Sequence, residues 1–287
     1  MNFKVAIGPS SFAAQDETPL KILEDSGVEI LPNPYGRRLT ESEIITHLDG
    51  VEGLIAGLEP LNRRVLASAT QLKAIARVGI GMNNVDLAAT QALDIRVSNT
   101  PDGPTEAVAE MTIAALLALS RGLIEANEAL HAGNWRKSIG TGLRDLEVLL
   151  VGYGRIGKRV GDLLDAFGAR VMVVDPFLKE SALEGKSELV SLNDGLKKAR
   201  VVSLHASGMD PILTADEFAQ MQDGVLLLNS SRGELVDEEA LVQALESGKV
   251  RGAWLDVFWE EPYSGPLTQF KQVVLTPQQF EINCVPE

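Results

Sequence analysis

The run Gly152-Tyr153-Gly154-Arg155-Ile156-Gly157 sets three glycines at the spacing G-x-G-x-x-G. The chemistry of that spacing is anion binding by backbone. The first glycine permits a tight turn, the second lets the main chain approach a pyrophosphate, and the third lets a helix lie close. Free N–H groups at the helix start attract the phosphates. Asp175 stands 18 residues beyond Gly157. A carboxylate there can accept hydrogen bonds from both adenine-ribose hydroxyls of NAD and would repel the 2′-phosphate of NADP.

A second group of polar residues follows short apolar runs: His205 after Leu204, Asn229-Ser230-Ser231-Arg232 after Leu228, Asp256 after Leu255, and Thr276 after Leu275. Ligands of an open parallel sheet gather at the carboxyl ends of its strands, so the shared placement points to one site. His205 reads equally well as a satisfied core histidine.

The elements that would hold these residues follow from the apolar pattern. Glu147–Val151 and Arg170–Val174 read as buried strands around the glycine loop. Ile156, Val160, Leu163, Leu164 and Phe167 repeat at helical spacing before Gly168. Strands are expected at 201–204, 225–228, 252–255 and 273–275, with helices at 215–221 and 237–246, which makes a doubly wound sheet. Upstream, strands at 4–8, 28–31, 53–56, 73–78 and 96–98 alternate with helices at 19–25, 62–67 and 85–92. Thr40-Glu41-Ser42-Glu43 has capping-box spacing and starts a further helix. Pro101 and Pro104 bracket a boundary, giving domains of 1–98 and 99–287. Thr105–Arg121 is apolar on more than one face and so reads as a buried helix. Leu123–Leu143, with Trp135, reads as an arm with little core of its own that packs on a second subunit.

Composition narrows the class. The chain has 287 residues, 45% hydrophobic and 23% charged, as in ordinary globular proteins, and a net charge of -14. No compensating Lys/Arg block appears, which argues against nucleic-acid or anionic-membrane partners. The single Cys284 leaves no disulfide framework, the residues after Met1 do not pattern as a signal peptide, and Met111–Leu119 is too short to span a membrane. A cytoplasmic protein is the expectation.

Three stretches together carry a family resemblance: ARVGIGMNNVDL from Ala76, VGYGRIGKRVGDLLDAFGARVMVVDP from Val151, and the run from Leu227 to Pro262 that ends in WEEP. In order and spacing they resemble the NAD-dependent D-2-hydroxyacid dehydrogenases, in particular the phosphoglycerate dehydrogenase branch, over residues 1 to about 277. The resemblance implies a Rossmann-type sheet plus a smaller flavodoxin-like substrate domain. It also implies a hydride moved between C2 of a small anionic 2-hydroxy or 2-oxo acid and nicotinamide; the homodimer expected here rests on the Thr105–Leu143 region. By position, Arg232 would bind the substrate carboxylate and polarise the C2 oxygen, a task suited to a planar bidentate donor. Glu261 would orient and charge an acid/base histidine. Arg77, Val78 and Gly79 would open the substrate loop that runs to Gly81. Arg155 and Ile156 would lie along the pyrophosphate, and His205 with Ala206 toward the adenosine. Ser231 would border the cofactor, and Asp256 would hold the carboxamide. Arg37 and Arg38 read chiefly as a solvated loop rather than a phosphate site.

One position departs from the pattern. The family's acid/base histidine follows Thr-Pro, and here the tripeptide is Thr276-Pro277-Gln278. A neutral amide can hydrogen-bond but neither gives nor takes a proton. From Gln278 to Glu287 nothing matches the family, and the return helix expected there is missing from the pattern. The reading is therefore NAD binding with weakened turnover. The second reading is a non-catalytic NAD-binding or regulatory protein on the same scaffold.

Overall fold

The computed structural model describes residues 3–14, 16–79, 81–100, 103–179, 183 and 187–277. Gln278 and Ile80 lie outside the described residues. Contacts divide the chain into two units at Pro104–Thr105.

The first unit carries five parallel strands, β1 (Lys4–Ile7), β2 (Glu29–Leu31), β3 (Gly53–Ala56), β4 (Ala74–Arg77) and β5 (Arg96–Asn99), in the order β2-β1-β3-β4-β5. That is the flavodoxin-like order. Helices α1 (Thr18–Asp25), α2 (Glu41–His47), α3 (Arg63–Ser68) and α4 (Leu87–Ala92) connect them. Polar caps fix where the helices begin. Thr40 and Glu43 form the capping box of α2, Asn62 accepts from the Val65 N–H, and Asp86 accepts from the Ala89 N–H. Ile44, Leu54, Leu61, Val65 and Ile75 are buried in the core that results.

The second unit begins with α5 (Thr105–Arg121), whose Val108, Thr112, Leu116 and Leu119 are among nine buried residues. No helix among the described residues is by itself long and apolar enough to cross a membrane. The segment expected as an arm with little core of its own begins with a helix. Gly122, at φ 59°, turns the chain into α6 (Leu123–His131), which buries none of its residues. The pattern Leu123, Ala126, Leu130 holds helical spacing but lacks core contacts, so sequence periodicity alone left it weak. Residues 134–142 are irregular.

Seven parallel strands follow: β6 (Glu147–Val151), β7 (Arg170–Val174), β8 (Glu188–Leu189), β9 (Val201–Leu204), β10 (Val225–Asn229), β11 (Val250–Leu255) and β12 (Val273–Leu275). Their order is β12-β11-β10-β9-β6-β7-β8. This is the Rossmann arrangement, and the order reverses between β6 and β9, where such sheets bind ligand. Helices α7 (Arg155–Ala166), α8 (Leu192–Lys198), α9 (Ala215–Gln220) and α10 (Glu238–Glu246) cover the sheet. Short β8 and α8 add to the sequence reading; Ser191 caps α8 by accepting from the Asp194 N–H. Cores form on both faces of the sheet, one centred on Leu149, Val202 and Leu227, the other on Leu150, Leu228 and Trp254. Burial on both faces is why β10 reads as an apolar run from Val225 to Leu228 and why β9 is apolar apart from Ser203.

Candidate active site

The glycine loop leaves β6 at the switch point. Gly152 has φ 93°, and its N–H donates to the Val174 carbonyl at 2.8 Å. A methyl group on Gly152 would lie 2.5 Å from the Ala206 nitrogen. One on Gly157 would lie 2.2 Å from the Gly152 carbonyl oxygen and 3.4 Å from the His205 Cβ. The third glycine therefore packs against the loop itself and His205 as much as against the sheet. Gly154 differs, since a methyl group there would meet nothing within 4 Å. It caps α7 and faces open space, so backbone N–H groups at the start of Arg155, Ile156 and Gly157 can be reached by an anion. Two glycines that cannot take a side chain and one beside open room make a cradle that fits a dinucleotide pyrophosphate.

Asp175 follows β7. Its carboxylate accepts from the Tyr153 N–H at 2.8 Å and from the Phe177 N–H at 2.9 Å. Each oxygen has one donor and retains lone-pair capacity for a ribose hydroxyl. His205 follows β9, and its backbone N–H donates to the Val151 carbonyl at 2.7 Å. Its Nε2 shares a 2.8 Å hydrogen bond with the Ser203 hydroxyl. Part of the side chain reaches the surface, but Nδ1 is sealed from water and has no partner among the described residues. Burial pushes this imidazole down to about 4, so the ring is neutral at ordinary pH. His205 and Ala206 thus form the floor beneath the glycine loop, a role that joins the two readings of that histidine.

The polar residues after β10 and β11 hold one another. Fully buried Asn229 donates to the Arg232 carbonyl at 2.7 Å and accepts from the Ser231 N–H at 3.0 Å. The Ser231 hydroxyl donates to the Leu204 carbonyl at 2.7 Å, tying this loop to the end of β9. Arg232 is partly exposed, and its guanidinium donates to the Ser231 carbonyl at 2.6 Å. Asp256, also fully buried, accepts from the Thr276 hydroxyl, which in turn accepts from the Trp254 indole at 2.9 Å.

Glu261 is exposed on the loop after β11. Further along that loop Tyr263 stacks on Phe258 with ring centroids 4.7 Å apart and donates to Glu238 at 2.6 Å. Burial, then the Glu238 carboxylate, pushes the Tyr263 phenol up to about 12. Next to Arg232, a methyl group on Gly233 would lie 2.3 Å from the Phe258 carbonyl carbon. The loop bearing Arg232 and the loop leading to Glu261 therefore meet backbone to backbone, and neither can shift without the other.

In the first unit, β4 ends at buried Arg77, half-exposed Val78 follows, and Gly79 takes φ 123°. The Gly79 N–H donates to the Thr100 hydroxyl at 2.7 Å, and the Arg77 guanidinium folds over Gly79, 2.0 Å from where a methyl group would stand. Glu59 is also at this edge, only 1% exposed, accepting from the Gly57 N–H at 2.9 Å. Burial raises its carboxyl above the usual range, opposed by that hydrogen bond and by Arg77 and Arg38. Arg37 does not stand free: it forms a two-pronged pair with Glu43 at 2.7 and 3.0 Å, in line with a loop role. Glu59 and Thr100 were missed from sequence; both follow strands closely, and that placement was the signal available.

Comparison with known proteins bears on the whole arrangement. The family model described as D-isomer specific 2-hydroxyacid dehydrogenase, NAD binding domain, matches residues 113–279. Among curated relatives, the D-3-phosphoglycerate dehydrogenase of Mycobacterium leprae is 39% identical over 231 residues, covering 78% of this chain and 44% of that protein. The one from Methanocaldococcus jannaschii is 34% identical over 275 residues, covering 92% and 51%. The chain spans about half the length of these relatives. Among solved structures, the TT0316 protein of Thermus thermophilus superposes with TM-score 0.84 at 33% identity, covering 96% of this chain and 89% of that one. The apo D-lactate dehydrogenase of Escherichia coli does so with TM-score 0.84 at 28% identity, covering 96% and 90%. Glycine cradle, sheet order and family match agree, and the chain belongs to the D-isomer-specific 2-hydroxyacid dehydrogenases, in their phosphoglycerate dehydrogenase-like branch, with NAD as cofactor.

Proposed function

We propose that the chain is an NAD-dependent oxidoreductase acting on the CH–OH group of a D-2-hydroxy acid, with 3-phosphoglycerate the leading substrate and turnover weakened by Gln278. The observation that carries the reading is the pairing of a dinucleotide cradle at the sheet's switch point with Arg232 on the adjoining loop, held by Asn229. The substrate assignment is supported by relatives named as D-3-phosphoglycerate dehydrogenases.

NAD, when bound, supplies the hydride acceptor; Gly152, Gly154, Gly157, Asp175 and Asp256 would hold it. The protein's own contribution is to bind and orient the acid. Arg232 presents a fixed cation to its carboxylate and C2 oxygen. Arg77, Val78 and Gly79 belong to the first unit, which we assign as the substrate-binding domain; there Arg77 offers a cation suited to an anionic acid, while the Val78 and Gly79 N–H groups are taken by the Ala56 carbonyl and the Thr100 hydroxyl. The hydroxyl proton needs an acceptor, and Gln278 cannot be one. Loss of a positioned acid/base costs about 10²–10⁴ in rate. Glu261 is then left without the histidine it would charge. The same departure favours the second reading, an NAD-binding regulatory protein. Assembly as a homodimer in the cytoplasm, through the 105–143 region, completes the proposal.

A dehydrogenase assay over a panel of 2-hydroxy and 2-oxo acids tests this, run beside Gln278→His carrying a family-like tail. NAD should bind both chains, with turnover rising by about 10²–10⁴ in the repaired one. Ordinary turnover by the unaltered chain would refute the role of Gln278. No turnover in either would favour the regulatory reading.

A further inference from the structure

At the opposite edge of the seven-stranded sheet, where the strands begin, three arginines converge from separate parts of the chain. Arg121 ends α5, Arg200 precedes β9, and Arg251 is the second residue of β11. A cavity of about 250 Å³ opens there, bordered by Ser120, Arg121, Gly122, Glu125, Ser138 and Arg251. A second, of about 170 Å³, is bordered by Arg251 again, with Arg200 and Asp223. The cofactor loop lies at the other end of the strands, so this edge is separate from it.

Four observations make the edge unusual. In a chain of net charge -14, carboxylates are plentiful, yet the side chains of Arg121, Arg200 and Arg251 make no ion pair or hydrogen bond among the described residues. Asp223, the acid of the smaller cavity, is taken by Lys249 at 2.8 Å. Burial first, and the Arg200 charge second, lower Arg251 from the ordinary arginine range, with Glu125 opposing. Ser120 is only 2% exposed, and its hydroxyl has no hydrogen-bond partner among the described residues. An orphaned buried hydroxyl beside unpaired guanidiniums is the arrangement that a bound oxyanion relieves.

The wall of the larger cavity is fixed rather than loose. The Thr141 N–H donates to the Ser120 carbonyl at 2.7 Å, and a methyl group on Gly140 would lie 2.8 Å from the Arg121 Cα. The 138–142 segment is therefore pressed onto the end of α5. At that point Gly122 is the N-cap of α6, with no side-chain cap.

We propose that this edge is an anion site, with Arg251 at its centre and Arg121 and Arg200 to either side, taking a doubly charged phosphate group, either free or on a small metabolite. Guanidinium forks match phosphate oxygens in pairs. Glu125 is the one carboxylate bordering the larger cavity that competes for the same arginines. An occupant would join the α5–α6 elbow, the 138–142 segment and the starts of β9 and β11, away from the glycine loop; the elbow and that segment fall within the region proposed above for the homodimer contact, so sedimentation is measured beside each titration.

The test is calorimetric titration of inorganic phosphate into the full chain saturated with NAD, so that the glycine loop is already filled. Phosphate should bind. Arg251→Met should weaken it by about tenfold or more, and Arg200→Met should weaken it less. Glu125→Gln should tighten it, a change of sign that no loss of structure would produce. Unaltered NAD affinity in each variant verifies the fold. Glycerol phosphate run in parallel separates the sources: tighter binding than phosphate assigns a phosphomonoester, weaker binding assigns the free ion. Absence of phosphate binding in the NAD-saturated chain, or equal affinity in Arg251→Met, overturns the proposal. So does an Arg251→Met chain that changes only its sedimentation, which would give the arginines to a contact between copies.

Discussion

Asp175 and His205 hold opposite ends of the cofactor loop, one by accepting N–H groups and one by lying beneath it. Asp175→Ala should weaken NAD by roughly tenfold to a hundredfold, the range for losing hydrogen bonds to a charged group. Paired calorimetric titrations decide what the carboxylate does. If it reads ribose hydroxyls, NADP should gain relative to NAD; equal losses for both would make it only a cap for the Tyr153 and Phe177 N–H groups. His205 predicts a pH dependence. Its folded value of about 4 lies below the ordinary 6.5, so as pH falls from 6.5 toward 4 the unfolded chain takes up a proton that the folded one refuses. Stability is retained above pH 6.5 and falls across that window by about 2 kcal/mol, discounted because the residue is partly exposed. Denaturant melts at about pH 7.5 and about pH 4.5, on either side of most of that window, should differ less in His205→Gln than in the parent. Equal differences would remove the histidine as the cause.

Among the elements, the turn from β6 into α7 separates two kinds of glycine. Gly157→Ala puts a methyl group 2.2 Å from the Gly152 oxygen and should cost about 1–3 kcal/mol in stability along with NAD binding. Gly154→Ala has open space and φ -71°, so it should fold as the parent does and lose only affinity. Thermal melts with and without NAD measure both; matching stability losses would contradict the assignment. This turn was the most legible part of the chain, because strand, glycine spacing, helix and terminal acid each had a local cause. Strand β10 was legible for a related reason, since burial on both faces leaves an apolar run. Helix α6 was not, because its apolar residues have little in the chain to pack on. Nor was the network of Asn229, Ser231 and Arg232 legible beyond its place after a strand: side chains bonding to backbone leave no spacing to read. Glu59 shows the same limit, since a buried acid among loop glycines looks in sequence like a solvated turn.

For the whole molecule, the surface of α6 and the segment after it sets the expectation. Leu123 and Leu130 are 63% and 56% exposed, and Trp135 and Ile139 more so. Apolar side chains grouped this way are the surface that the proposed homodimer would cover. Sedimentation at micromolar concentration should give a dimer, and Leu130→Glu should give a monomer with unchanged far-ultraviolet circular dichroism. A parent that sediments as a monomer would remove the proposed assembly.

The contact between Gly152 and Gly157 has a historical meaning as well. Each glycine is confined by main chain, and main chain cannot be trimmed by a second mutation as a side chain can. A lineage that stops using its cofactor is therefore still held to the same glycines by folding alone. In such a lineage the loop would persist by steric need whether or not turnover did. The Arg232 side chain, partly exposed and bonded only to the adjacent Ser231 carbonyl among the described residues, is under no such steric hold.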